Sequence, residues 1–171
     1  PAAVPLPAAT TGYSTRDFDW LDAARERRVP VRLYLPDAAS VDAPVPLVVS
    51  SHGIGGSRNG YSYLGRYWAS QGYASLHLQH VGSDRNLWFG NPFELMARLH
   101  DAAQEAEVVA RVRDLSFALD QLLRSELALQ LDGQRIVAAG HSYGANTTLL
   151  AAGATVRRNG EPLELRDARI K

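Results

Sequence analysis

Arg135-Ile136-Val137-Ala138-Ala139-Gly140-His141-Ser142-Tyr143-Gly144 runs from a short apolar segment into a turn of two glycines around a serine, and residues 143–152 beyond it can form a helix. In the order strand, turn, helix this is the nucleophile elbow G-x-S-x-G. A hydroxyl that attacks a carbonyl must stand free at the end of a strand on a tight turn. A side chain two positions to either side would push strand and helix apart, so Gly140 and Gly144 supply the room. The plainer alternative is a glycine turn whose Ser142 only caps the next helix.

A second glycine loop, His52-Gly53-Ile54-Gly55-Gly56, follows the short apolar run 46–51. Acyl transfer needs preorganised donors where the oxyanion forms, and the usual pair is the N–H after the nucleophile plus one from the loop after an earlier strand. Here those are the backbone N–H groups of Tyr143 and Ile54, with the side chains incidental. Phosphate-binding readings fail on residues. A dinucleotide fingerprint beginning at Gly53 and Gly55 needs glycine where Arg58 stands, and the next strand ends in Gln79 and His80 rather than an acid. A P-loop forced onto 55–60 is followed by Tyr61, not Lys. His52 and His141 are expected to be buried, hydrogen-bonded supports for their loops. His77 and His80, three apart, point to opposite faces of a strand, and no third ligand has metal spacing, so no metal is expected. His100 is expected on a helix surface. Trp68 reads as packing, whereas Trp88 and Phe89 sit in a loop and are candidates to line an acyl pocket.

Working outward, residues 13–20 and 28–35 alternate as an antiparallel hairpin, and 46–51, 73–78 and 135–139 read as buried strands. Between them, 61–71 carries Tyr61, Leu64, Tyr67 and Trp68 at helical spacing, with Gly72 placed to end the helix. Residues 105–123 put Val108, Val112, Leu115, Leu119 and Leu122 on one stripe and Arg111, Arg113, Asp114 and Asp120 elsewhere, the pattern of a long amphipathic helix. Asn159-Gly160 marks a tight hairpin turn. Alternating strands and helices build a mostly parallel sheet with helices on both faces. With 171 residues the chain reads as an extended segment 1–12 and one domain from 13 onward. Lys and Arg number 18 against 18 Asp and Glu, which gives no electrostatic reason to bind nucleic acid. No Cys is present, so thiolate chemistry and disulfides are excluded. No apolar run is long enough for a transmembrane helix. The uncharged Ala/Pro-rich start without Met points toward a secreted or periplasmic protein, with the cytoplasm left open.

The runs Ser51-His-Gly-Ile-Gly-Gly-Ser-Arg58, Tyr61-Ser-Tyr-Leu-Gly65, Trp68-Ala-Ser, Gly72-Tyr, His77-Leu-Gln-His80, Gly82-Ser-Asp84 and Gly140-His-Ser-Tyr-Gly144 resemble bacterial α/β-hydrolases. More narrowly, they are similar to the branch of predicted dienelactone hydrolases related to platelet-activating-factor acetylhydrolases. The likeness extends from about Tyr13 to the end and includes Arg113-Asp114 and Leu119-Asp120. It implies an α/β-hydrolase fold and a cofactor-free serine esterase acting on small or short-acyl esters, with Ser142 as nucleophile and Ile54 and Tyr143 as oxyanion donors. Dienelactone hydrolases use Cys where Ser142 stands, which points away from dienelactone as substrate. In this fold the triad follows the order Ser, acid, His. After Ser142 come only Glu161, Glu164 and Asp167, and no His. The expectation is therefore the N-terminal part of a longer hydrolase domain, with the triad acid and His beyond Lys171. A serine peptidase or amidase of the same fold, and a non-catalytic hydrolase-like binding protein, are the rival readings.

Overall fold

The computed structural model describes residues 7, 9, 12–158 and 160–171. Most of the expected extended segment 1–12 thus lies outside the described residues. A five-stranded sheet forms the centre, in the order β1-β2-β4-β3-β5, built from β1 (Tyr13–Asp22), β2 (Arg27–Pro36), β3 (Val45–Ser51), β4 (Ala74–Leu78) and β5 (Leu131–Gly140). β1 and β2 make the expected antiparallel hairpin, β2 continues antiparallel to β4, and β3 is parallel to both β4 and β5. Only β2 runs against the other four. β3 and β4 are buried along their whole length, as apolar runs covered on both faces must be. β1 is an edge strand, and its outer charges are paired across the hairpin, with Arg32 donating to both oxygens of Asp17 at 2.6 and 2.7 Å.

Helix α1 (Ser62–Ser70) crosses from β3 to β4, and α2 (Leu95–Ala102) and α3 (Glu105–Arg124) lead from β4 to β5, which is followed by α4 (Tyr143–Ala151). Val31, Leu33 and Leu35 of β2 share the core with Val112, Leu115, Leu119 and Leu122 of α3 and Leu150 of α4. Tyr34, on the opposite pleat, lies beneath α1, where a side chain on Gly65 would strike its ring. Helices therefore cover both faces. β6 (Val156–Arg158) and β7 (Glu161–Leu163) pair across residues 159–160, as the Asn-Gly signal requires; Asn159 itself lies outside the described residues. Ile170 then makes a parallel bridge to Ile136 on the outer side of β5.

Several expectations need correction. Tyr67 is 60% exposed rather than part of the buried stripe of α1, because the close approach of Gly65 and Ala69 to the sheet leaves Tyr67 outside. The sequence bounds no element over 95–102, although it expects His100 on a helix surface; the structure supplies α2 there, led in by a short turn at 92–94 that Asn91 caps by accepting from Phe93 N at 3.1 Å, and eight residues are too few for a clear periodic signal. The largest correction is on α3, where Arg111 and Asp114 are completely buried instead of facing solvent. Among the described residues no helix is long and apolar enough to cross a membrane.

Candidate active site

The chain leaves β3 toward β4 on one side, whereas β5 lies on the other, so the strand order reverses beside β3. Ligand crevices in open α/β sheets form at the carboxyl ends of strands at such a switch point. Here the two glycine loops meet there. The space a Cβ would occupy on Gly53 lies 3.4 Å from the His141 carbonyl and 3.5 Å from Ser142 Cβ. A side chain on Gly140 would collide with the backbone at Gly144, and one on Gly144 with the Ser51 carbonyl. The turn exists because both positions lack one.

Ser142 is exposed, with φ 53° and ψ −119°, a conformation that costs a non-glycine residue on the order of 1–3 kcal/mol. It sits at the N-cap of α4, yet its side chain makes no capping hydrogen bond. The helix-cap alternative is therefore not what the structure contains. Among the described residues, the N–H groups of Ile54 and Tyr143 have no protein acceptor, while the neighbouring Gly55 N donates to Ser83 O at 2.8 Å and Gly56 N to Gly53 O at 3.1 Å. Gly55, at φ 74°, lies under the indole of Trp88, whose Nε1 donates to the Gly55 carbonyl at 2.8 Å. Trp88 thus stands beside the loop as a wall, and Phe89 next to it is exposed.

All five histidines are engaged away from the Ser142 hydroxyl. His52 Nε2 accepts the backbone N–H of His80 at 3.0 Å, so its proton is on Nδ1, which donates to the Gly53 carbonyl at 2.6 Å. Burial, aided by the charge of Arg111, pushes His52 down to about 4, and it sits neutral and buried, hydrogen-bonded to the loop. His141 departs from expectation: it is exposed, and its Nδ1 lies 2.8 Å from the Tyr61 hydroxyl. Tyr61, itself at φ 53°, reads in sequence only as part of the α1 spacing, because nothing local marks its reach across 80 residues to His141. His77 packs against Tyr34 and Trp68, and His100 is exposed on α2.

His80 belongs to a buried polar network. Its Nδ1 lies 3.0 Å from Asp114 and its Nε2 3.1 Å from the Ser51 hydroxyl. This repeats the bonding order of a Ser–His–Asp triad, but the three residues are 1%, 0% and 0% exposed, so no substrate reaches them. Burial and then the Arg111 charge push His80 down to about 3. Burial pushes the Asp114 carboxyl up, but the His80 hydrogen bond and the Arg27 guanidinium outweigh it and hold Asp114 below its ordinary range. Arg27 Nε and Arg25 Nη1 each donate to Asp114 Oδ1 at 2.9 Å, and Arg27 Nη2 also reaches Glu107 at 2.9 Å. These residues tie the β1–β2 turn to α3 directly behind the glycine loop.

A family model described as platelet-activating factor acetylhydrolase, isoform II, matches residues 26–86. No curated protein matches the chain significantly. Among solved structures, a ferulic acid esterase from Streptomyces cinnamoneus superposes with a TM-score of 0.67 at 26% identity, over 84% of this chain and 56% of its own. A dienelactone hydrolase from Anabaena variabilis gives 0.55 at 19% identity, over 81% of this chain and 57% of its own. A dienelactone hydrolase-like promiscuous phosphotriesterase from metagenomic libraries gives 0.60 at 21% identity, over 81% and 53%. The chain has the α/β-hydrolase fold. It spans a little over half the length of these relatives. β5 leads into the glycine turn around Ser142, and the Ile170–Ile136 bridge extends the sheet beyond it. Of the carboxylates after Ser142, Asp167 is buried and held by Arg169 at 2.6 and 2.8 Å, while Glu161 and Glu164 are exposed.

Two expected outcomes follow from this hydrolase core. His52, His77 and His80 all have folded-state values below the ordinary 6.5, at about 4, 4 and 3, chiefly through burial. As pH falls below about 6.5 the unfolded chain takes up their protons first, so the stability present at neutral pH is lost on the way down to about 4. Each histidine contributes up to ~1.4 kcal/mol per pH unit in that window. Denaturant titrations at pH 7.5 and 5 read it directly, and equal midpoints would contradict it. Secondly, the Tyr143 hydroxyl is buried without a hydrogen-bond partner among the described residues. Tyr143→Phe should therefore leave the melting temperature unchanged or raise it, since removing an unsatisfied buried hydroxyl has no bond to break; a clear fall in Tm would reveal a partner.

Proposed function

We propose that the protein is a carboxylic-ester hydrolase of the small or short-acyl ester class, working through an acyl-enzyme on Ser142. The observation that carries this reading is the exposed, strained Ser142, without a cap bond, at the meeting of two glycine loops that each present a backbone N–H without a protein acceptor. Ser142 Oγ attacks the ester carbonyl, the carbonyl oxygen becomes an oxyanion against the N–H groups of Ile54 and Tyr143, and collapse expels the alcohol. Water then attacks the acyl-enzyme, releases the carboxylic acid and restores the serine. His52, Gly53, Gly140, His141 and Gly144 shape the two loops.

In the fold's triad order the general base is a histidine later in the chain than Ser142, and none of the five histidines of these 171 residues follows Ser142. Trp88, half-exposed beside Gly55, is the wall that limits the acyl side, in keeping with short acyl groups. Similarity to a ferulic acid esterase and to acetylhydrolases supports ester over amide chemistry.

The test uses the full-length protein with a fluorophosphonate probe and p-nitrophenyl acetate. Stoichiometric labelling of Ser142, blocking acetate release, is the expected result. Labelling of a different serine, or release that survives full modification of Ser142, would overturn the assignment.

A further inference from the structure

Among the described residues Arg111 is the largest fully buried side chain, and its guanidinium reaches both arms of the site. Its Nη2 donates to the His52 carbonyl, one peptide before Gly53. Its Nη1 donates to Ser83 Oγ at 2.7 Å, and the Ser83 carbonyl in turn holds the N–H of Gly55. Its Nε donates to Thr147 Oγ1 at 2.9 Å, and that hydroxyl donates to the Tyr143 carbonyl at 3.1 Å. The guanidinium also lies 4.4 Å from the centre of the Tyr143 ring. One planar group therefore bonds to His52 directly and reaches Gly55 through Ser83, on the two sides of Ile54, and lies over the ring of the residue that follows Ser142.

We propose that Arg111 is a positioning residue for acyl transfer: its guanidinium straps the 52–56 loop to the start of α4 and so fixes the spacing of the Ile54 and Tyr143 N–H groups. The inference rests on the acyl-enzyme reading above and deepens it. A buried cation is an expensive way to hold two elements together, since a well-packed apolar residue of similar volume commonly serves stability as well or better. Burial pushes Arg111 down to about 10, so it stays charged near neutrality, with Glu107 within reach through Ser83. What the cation adds is direction. Its donors lie in one rigid fork, so the three acceptors are held in fixed relation to one another, which a flexible ammonium or an apolar chain cannot do. Oxyanion donors act through preorganisation, and a small error in their spacing costs rate rather than substrate affinity.

The experiment compares full-length wild type with Arg111→Met and Arg111→Lys. Active sites are counted with the fluorophosphonate, and kcat is expressed per titrated site. Arg111→Met is expected to lose about a hundredfold in kcat per site, the scale of one lost oxyanion donor, with KM shifted less than about threefold. Arg111→Lys should recover little of it, and affinity for a boronic acid that mimics the tetrahedral adduct should fall in parallel with kcat. If Arg111→Met only lowers Tm and the number of titratable sites, with kcat per site unchanged, the role is structural and the proposal is overturned. Should that variant fail to fold, Thr147→Val decides. It removes only the hydrogen-bonded link to the Tyr143 backbone, the one that fixes the peptide, and is expected to lower kcat per site about tenfold, and an unchanged value overturns the strap. A wild type in which Ser142 is not labelled overturns the acyl-enzyme reading first, and this inference with it.

Discussion

Ser142→Ala in the full-length protein should lose ester turnover by about a millionfold and lose fluorophosphonate labelling entirely, while its melting temperature stays close to wild type. Removing the nucleophile of a serine hydrolase has an effect of that size, because what survives is only the contribution of the oxyanion donors and substrate binding. Ser142→Gly should be as inactive but measurably more stable. The backbone at Ser142 has φ 53°, which glycine adopts without penalty, so relieving it returns part of the ~1–3 kcal/mol stored there. Activity lost and stability gained in one variant is the signature of strain held for function. A Ser142→Gly protein less stable than wild type would mean that the turn is not strained, and residual turnover within a hundredfold of wild type would remove Ser142 from the chemistry.

Asp114→Ala is expected to produce the largest loss of stability, about 3–5 kcal/mol, because one buried carboxylate answers Arg25, Arg27 and His80 together. Its removal leaves two guanidinium groups and an imidazole N–H facing a gap behind the glycine loop. That loss is a large part of the 5–15 kcal/mol that holds an ordinary domain folded. Asp114→Asn keeps an acceptor but not the charge and should fall between the two. Urea denaturation of the full-length protein measures both; a loss below about 1 kcal/mol for the alanine variant would show that the network does not hold the β1–β2 turn to α3.

What the sequence determined by itself is what short-range chemistry controls. Gly140 and Gly144 around Ser142, the glycines after His52, the apolar runs of β3 and β4, the αL glycine at Gly72 and the Asn-Gly turn each depend on a few neighbouring residues, and each is where the sequence puts it. The five-residue turn around Ser142 even carries its own geometry, since the absence of side chains at Gly140 and Gly144 is what permits it. Local pattern failed where an energy depends on a distant partner. Arg111 and Asp114 look like solvated charges on an amphipathic helix, and their burial follows from Arg25 and Arg27, 89 and 87 residues from Asp114, and from carbonyls and hydroxyls that three other elements bring beneath α3. His141, beside Ser142, is exposed, and its ring meets the hydroxyl of Tyr61 from another loop. Burying a charge is affordable only where opposite charge and hydrogen bonds converge on it, and convergence is a property of the folded chain. The glycine turns of the candidate site were thus written locally, while the polar network behind them was decided only when the sheet and helices closed around it.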